Sequence, residues 1–263
     1  MMMQRMFLSQ VCLQFLLLCI FTINAVLASQ STPLKQDFFD VPLEELLKVK
    51  ISTVSRKPQT LSETAAAVFV ISQEDIRRSS ANSIPELLRM APGLSVARID
   101  GNKWSVTSRG YSGRFADDLL VMIDGRTVYS PLFAGTFWET LDLPLEDIER
   151  IEVIRGPSGT IWGANAANGA IHILTKHARA TQGTLMTSGG GSEERGFATL
   201  RYGGQMGENL YYRLYTKGFA RDHSFSPMGT NDNSRMGTVG FRVDWDVNTN
   251  NAVTFQGQYY GGK

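Results

Sequence analysis

EDIERIEVIRGPSGTIWGANAANGAIHILTK, residues 146–176, decides the fold. Ile148, Ile151, Val153 and Ile154 form a short apolar run of β-type spacing, interrupted by Glu149, Arg150 and Glu152, and Gly156-Pro157 stops it. Ser158 to Asn168 is dense in Gly, Ala, Ser and Asn around one large residue, Trp162. A second run, AIHILT, follows Gly169 and closes at Lys176. This spells strand, tight small-residue turn, strand. Small residues at that density let backbones approach closely, so the turn is expected to pack inside the molecule.

Working outward, AAVFVIS (66–72) predicts a buried strand, and residues 73–79 a short helix capped by Ser72. SIPELLRM (83–90) predicts a second helix, with Ser83 as cap, Pro85 in the first turn, and Leu87 and Leu88 inward. Residues 94–99 and 103–109 are strand candidates joined by a turn at Asp100-Gly101-Asn102. Residues 119–123 predict an apolar strand that turns at Asp124-Gly125 and returns through Arg126 to Tyr129.

In this order, IERIEVIRGPSGTIWGANAANGAIHILTK, NSIPELLRMAPGLSV, Arg109-Gly110-Tyr111 and VMIDG resemble the plug domain of TonB-dependent outer-membrane receptors. About thirty consecutive residues match in the first motif, well beyond the reach of a chance short match. The resemblance implies an α+β plug, a small mixed sheet with short helices, over residues 59–178. It also implies that 179–263 is the start of a transmembrane β-barrel.

The tail fits that implication. Gly rises, helix signals vanish, and polar and apolar residues alternate. Val239, Phe241, Val243 and Trp245 oppose Gly240, Arg242, Asp244 and Asp246. Leu210, Tyr212 and Leu214 oppose Tyr211, Arg213 and Tyr215, and Val253, Phe255 and Tyr259 oppose Thr254, Gln256 and Gln258. A lipid-facing apolar side with a polar lumen side gives this pattern. A soluble sandwich gives it too, with the apolar side turned to a core, and period alone does not separate them. About five strands are expected, near 181–190, 196–204, 208–221, 235–246 and 251–261. Plugged transporters close with about 22, so the chain reads as stopping early in its barrel, a fragment, truncated product or incomplete gene model. Five strands would leave open edges that lipid does not satisfy.

The first 28 residues carry one charge, Arg5, and an apolar run from Val11 to Leu27. They read as a signal peptide cut after Ala28, with export to a Gram-negative outer membrane. Both cysteines, Cys12 and Cys19, fall inside it, which leaves neither disulfides nor thiolate metal sites downstream. With Arg5 removed, 25 basic residues balance 25 acidic ones, which argues against nucleic-acid binding. Residues 29–58 form a polar tail with a helix candidate at 41–48 and an extended stretch, VKISTVS.

What the resemblance implies about sites is specific. Val49, Lys50, Ile51, Ser52, Thr53, Val54 and Ser55 are candidates for the segment that pairs by β-augmentation with TonB, itself driven by the inner-membrane ExbB/ExbD motor; the other reading is the plug's own first strand. Arg109 and Arg155 are candidates for locking plug to barrel, a task that suits the bidentate guanidinium. Tyr111, Arg114, Phe115, Tyr129, Phe133 and Trp138 lie in loops implied to face the extracellular cargo, and Arg114 could meet an anionic iron chelate. The implied activity is energised uptake of a scarce nutrient, a ferric siderophore first. The rival is a periplasmic or secreted plug-like interaction module, or a non-functional truncated receptor, without transport.

Enzyme chemistry is not expected. His172, His177 and His223 are the only histidines and none joins a cluster of metal-ligand spacing. No Walker A loop, dinucleotide fingerprint or nucleophile elbow is present; Ser158 lies in G-P-S-G-T. No cofactor is implied. N-terminal sequencing of exported material should begin at Ser29; a membrane-bound product that retains Met1 would rule out cleavage there.

Overall fold

The computed structural model describes residues 50–51, 59–60, 67–109, 113–114, 118–130, 135–224, 231–248 and 251–263. These belong to one unit, Leu47–Lys263. The expected signal peptide, the helix at 41–48 and most of the VKISTVS stretch lie outside the described residues.

The 146–176 stretch forms the centre of a five-stranded sheet. In chain order, β1 is Lys50–Ile51, β2 Gln59–Thr60, β3 Ala67–Ser72, β4 Leu94–Arg98, β5 Trp104–Ser108, β6 Leu119–Ile123, β7 Arg126–Thr127, β8 Tyr129–Ser130, β9 Gly135–Thr136, β10 Ile148–Arg155 and β11 Gly169–Thr175. The sheet order is β3-β10-β11-β6-β7. β10 pairs antiparallel with both β3 and β11, and β11 runs parallel to β6, so the sheet is mixed. Three two-stranded pairs, β1–β2, β4–β5 and β8–β9, are the other strands of this half among the described residues.

Both faces of this sheet are covered, which is why its inner strands read as near-continuous apolar runs. One face carries Ile71, Ile151, Val153, Ile171 and Ile173 against two short helices, α1 (Gln73–Arg78) and α2 (Ile84–Leu88). The opposite face holds a smaller cluster of Leu120, Met122, Ala166 and Ala170, with Trp162 laid on it. The small-residue stretch makes that second cluster possible. It is more than a turn: Gly159–Trp162 forms a short helix, α3, and Ala164–Ala166 a 3₁₀ turn. Gly169 closes it with φ +152°, where a Cβ would stand 2.3 Å from the Ile154 carbonyl oxygen, so only glycine lets β11 start there.

Local chemistry sets the helix starts. The Ser72 hydroxyl accepts from the Asp75 amide at 3.2 Å, and the Asp75 carboxylate accepts from the Ser72 amide at 2.8 Å, closing a capping box. At α2 the expected Ser83 cap makes no side-chain bond. Glu86 reaches back instead, accepting from the Asn82 amide at 3.0 Å.

The C-terminal half is a second five-stranded sheet, β12 (Gly183–Gly189), β13 (Glu194–Met206), β14 (Leu210–Arg221), β15 (Ser234–Asn248) and β16 (Asn251–Gly262), antiparallel and in sequence order. It is open, with β12 and β16 at its edges among the described residues. The five strands match the alternation in the sequence, and long registers hold them together, shifted only between Glu194 and Gly196 on β13 and between Asp246 and Asn248 on β15.

A buried imidazole ties β11 to the β6–β7 turn. His172 lies between Glu152 of β10 and Met122 of β6 in register, and its Nε2 accepts from the Gly125 amide at 2.9 Å. That bond needs the neutral ring. Burial pushes the pKa below its ordinary value of 6.5, while Glu152 and Asp124 pull upward and Arg150 downward. A histidine neutral in the fold but protonated in the unfolded chain stabilises above about pH 6.5, and the contribution is lost as pH falls toward the folded pKa. His172→Asn keeps an acceptor without the titration. In urea unfolding at pH 7.5 and 5, wild type should lose more stability than His172→Asn; parallel curves would show that His172 carries no such dependence.

Candidate functional site

The two faces of the C-terminal sheet answer the question that periodicity left open. Its apolar side is the exposed one: Val239 is 59% exposed, Phe255 67% and Tyr259 79%, with Leu214, Trp245 and Val253 beside them. Its polar side is buried against the N-terminal domain: Arg213, Lys217, Thr238 and Asp244 are all closed off from solvent. A soluble sandwich would show the reverse. Apolar-out and charged-in is the arrangement of a strand between hydrocarbon and a protein-filled lumen.

The site is therefore the charged seam between domain and sheet. Its basic groups come from successive inward positions of the sheet, Arg201 on β13, Arg213 and Lys217 on β14, and Arg242 on β15. Arg213 and Arg242 are direct cross-strand partners, a pairing that repels unless counter-charges intervene. The N-terminal domain supplies them. Asp147 sits in the 3₁₀ turn Leu145–Asp147 that leads into β10 and is 2% exposed. Its Oδ1 lies 2.7 Å from Arg201 Nη1 and its Oδ2 3.3 Å from Arg213 Nε. Asp142 Oδ1 lies 2.5 Å from Lys217 Nζ, which also donates to the Leu143 carbonyl at 3.2 Å. Arg242 Nη1 is 3.2 Å from Asp124 Oδ2, and its Nε donates to Asp244 Oδ2 at 2.8 Å.

Thr175, the last residue of β11, knits the seam. Its hydroxyl donates to Asp124 Oδ2 at 2.7 Å and accepts from Arg242 at 2.8 Å and from Arg213 at 3.4 Å. Its amide donates to Asp124 Oδ1 at 2.8 Å. Asp124 holds this position from a left-handed conformation, φ +48°, one that Asp tolerates better than most residues. Asp244 answers from the sheet side, accepting from the Ala178 amide at 2.7 Å just where the chain passes from one domain to the other. Burial pushes the pKa of Lys176 down, with nearby Asp147 opposing and Arg201 and Arg213 reinforcing the shift.

The residues singled out from sequence sit as follows. The Arg109 guanidinium lies beside Gly156, and the Arg155 side chain lies over Gly93, where a Cβ would stand 3.2 Å from its Cδ. Neither makes an ion pair among the described residues, and the Arg155 Nε is buried without a hydrogen-bond partner there. Arg114 pairs with Glu139 at 2.6 Å. Tyr129 is half-buried on β8. Trp138, expected in an exposed loop, is instead 5% exposed in the hydrophobic core, because its 3₁₀ turn points the ring inward. Tyr111, Phe115 and Phe133 lie outside the described residues, as do Val49, Ser52, Thr53, Val54 and Ser55. Lys50 and Ile51 pair antiparallel with Thr60 and Gln59. Sequence reading placed Asp124 in a turn only and did not single out Asp142, Asp147, Arg201 or Lys217. The usable signal was charge on the inward phase of strands whose outward phase is apolar.

Comparison with known proteins agrees with this geometry. Residues 60–170 match the model of the TonB-dependent receptor plug domain. The Vitamin B12 transporter BtuB of Vibrio cholerae is 31% identical over 198 residues, 74% of this chain and 31% of the relative. That of Photobacterium profundum is 30% identical over 223 residues, 82% of this chain and 36% of the relative. The chain thus spans about a third of the length of these curated relatives. Among solved structures, the siderophore receptor PirA from Pseudomonas aeruginosa superposes with a TM-score of 0.55 at 26% identity, covering 76% of this chain and 36% of PirA. The pyoverdine outer membrane receptor FpvA from Pseudomonas aeruginosa PAO1 gives 0.65 at 20%, covering 88% of this chain and 33% of FpvA, a likeness of fold.

Removing the Asp147 carboxylate strands two buried guanidinium groups. Asp147→Ala should destabilise the chain by about 3–5 kcal/mol. Asp147→Ala in an Arg201→Met, Arg213→Met background should cost far less. Urea unfolding of the four-protein cycle checks it; additive losses would show that the carboxylate is not coupled to these arginines.

Proposed function

The chain belongs to the TonB-dependent receptor family, and from this we propose that it supplies the plug and first wall strands of an outer-membrane receptor. The receptor takes up a scarce metal chelate, a ferric siderophore in the first place, with energy delivered through TonB and its ExbB/ExbD motor. The observation that carries the reading is the orientation of the second sheet. A charged face buried on the plug and an apolar face turned outward suit a wall set in lipid. No step of this function needs catalysis. Cargo binds on the outer side, force arrives on the periplasmic side, and the plug moves between them.

The buried seam fits that task. Ion pairs closed off from water are weak contributors to net stability and strongly directional, so they fix the resting position of the plug without welding it to the wall. Hydrophobic packing of the same area would resist displacement more. The alternative of a plug-like interaction module without transport accounts for the N-terminal domain but leaves the row of exposed Val239, Phe255 and Tyr259 on the sheet without a role.

A second cargo reading, a corrinoid, is favoured by one observation: the curated relatives at 30–31% identity are named as vitamin B12 transporters. Uptake of radiolabelled ferric siderophores and of cyanocobalamin by cells dependent on this receptor, with and without TonB, separates the two.

Force transfer has its own test. A proline removes one backbone donor and blocks strand pairing. Ile51→Pro should abolish energised uptake while external cargo binding stays intact. Unchanged uptake would move the TonB contact elsewhere, into residues 29–40.

A further inference from the structure

The seam is asymmetric in charge. Arg221 of the sheet is neutralised within the sheet by Glu194 at 3.2 Å, and Arg242 by Asp244 at 2.8 Å. Among the described residues Arg201, Arg213 and Lys217 have no such partner: their carboxylates, Asp147 and Asp142, both belong to the plug. Arg242 takes its second carboxylate, Asp124, from the plug as well. When the plug leaves its seat, three cations on adjacent strands lose the counter-ions they have among the described residues, while Arg213 still faces Arg242 across the register. Such a surface, on the buried side of the sheet and closed off from bulk water, draws anions to itself.

The contacts are also built to be exchanged. Asp142 Oδ2 and Arg201 Nε are buried without a hydrogen-bond partner among the described residues, and Asp147 Oδ2 and Arg213 Nε meet only as an ion pair at 3.3 Å without hydrogen-bond geometry, so the pairs use only part of their bonding capacity. A multivalent anion with oxygens in a different arrangement can satisfy more of them. Room lies alongside: a cavity of about 370 Å³ borders Arg213, Arg242 and Asp124, and another of about 230 Å³ borders Lys217 and Asp142.

We propose that the inner face of β13–β15 is an anion-accepting wall: solute passing between plug and wall travels as an anion, whose carboxylate, phosphate or other acidic oxygens replace Asp142 and Asp147 on Arg201, Arg213 and Lys217. The inference rests on the receptor reading above and narrows its cargo class to anionic chelates. The wall has two roles in sequence, first as the seat that registers the plug, then as the track that compensates the cargo's charge. Lysine and arginine both occur on it, so charge rather than one fixed bidentate geometry is the common requirement.

Tripolyphosphate serves as probe. The full chain in detergent micelles is exposed to tripolyphosphate or to potassium chloride at equal ionic strength, and backbone hydrogen exchange is followed at residues 142–148 and 176–178. Tripolyphosphate should accelerate exchange there by about tenfold over chloride, as direct competition for the wall demands. Equal exchange in the two salts overturns the proposal, because screening alone then explains any loosening. Arg213→Lys should keep the difference, and Arg213→Gln with Lys217→Gln should lose it; a difference that survives neutralisation also overturns the proposal. The wild-type comparison decides even if a neutralised variant does not fold. Failure here leaves TonB-dependent uptake standing, and failure of uptake leaves the exchange result standing.

Discussion

A carboxylate shared by two guanidinium groups holds the two halves of this chain in register. Asp147 stands at the entrance to β10, a central strand of the plug sheet, and touches Arg201 and Arg213 on neighbouring strands of the wall. Remove that charge and two arginines lie in a desolvated seam with nothing to balance them, a cost that few other single groups here would impose. Thr175 and Asp124 extend the same logic toward Arg242, and Asp142 toward Lys217. The plug's hydrophobic core shapes the domain, but this polar layer decides where the domain sits.

The two interfaces of the molecule follow opposite rules. Inside the plug, apolar side chains from both faces of β10 and β11 are sealed by α1, α2 and the small-residue stretch around Ala166. Between plug and wall, the contact is charged and incompletely bonded. Burial of apolar area is non-directional and hard to undo. An ionic layer is directional, and it can rearrange only where another anion or water takes over the pairing that is lost, since an unpaired buried charge is costly.

The wall's outward face completes the picture. Aromatic and aliphatic residues at alternate positions of β13–β16 stand exposed, a surface that water disfavours and lipid accepts. Its edges at β12 and β16 carry backbone groups whose partners are not among the described residues; hydrocarbon demands that such groups be paired.

How much of this was legible beforehand depends on range. β10, β11, β3, the Ser72 cap and the Asp124-Gly125 turn were readable because local spacing, capping and turn chemistry determine them within a few residues of chain. The alternation of β14–β16 was readable for the same reason. Which side of that alternation faces the protein was not, since a strand's period is the same in water and in lipid; only the burial of Arg213 and the exposure of Phe255 decide it. The ion pairs were not readable either, because Asp147 meets Arg201 from 54 residues away and Asp124 meets Arg242 from 118. Trp138 shows the same limit, a loop aromatic by sequence and a core residue once the chain is folded around it. By itself the sequence determined the central strands of the plug and the alternating strands of the tail, since these follow from contacts between near neighbours. The tertiary structure alone decided the charged seat, since it exists only where distant carboxylates and guanidinium groups are excluded from water together.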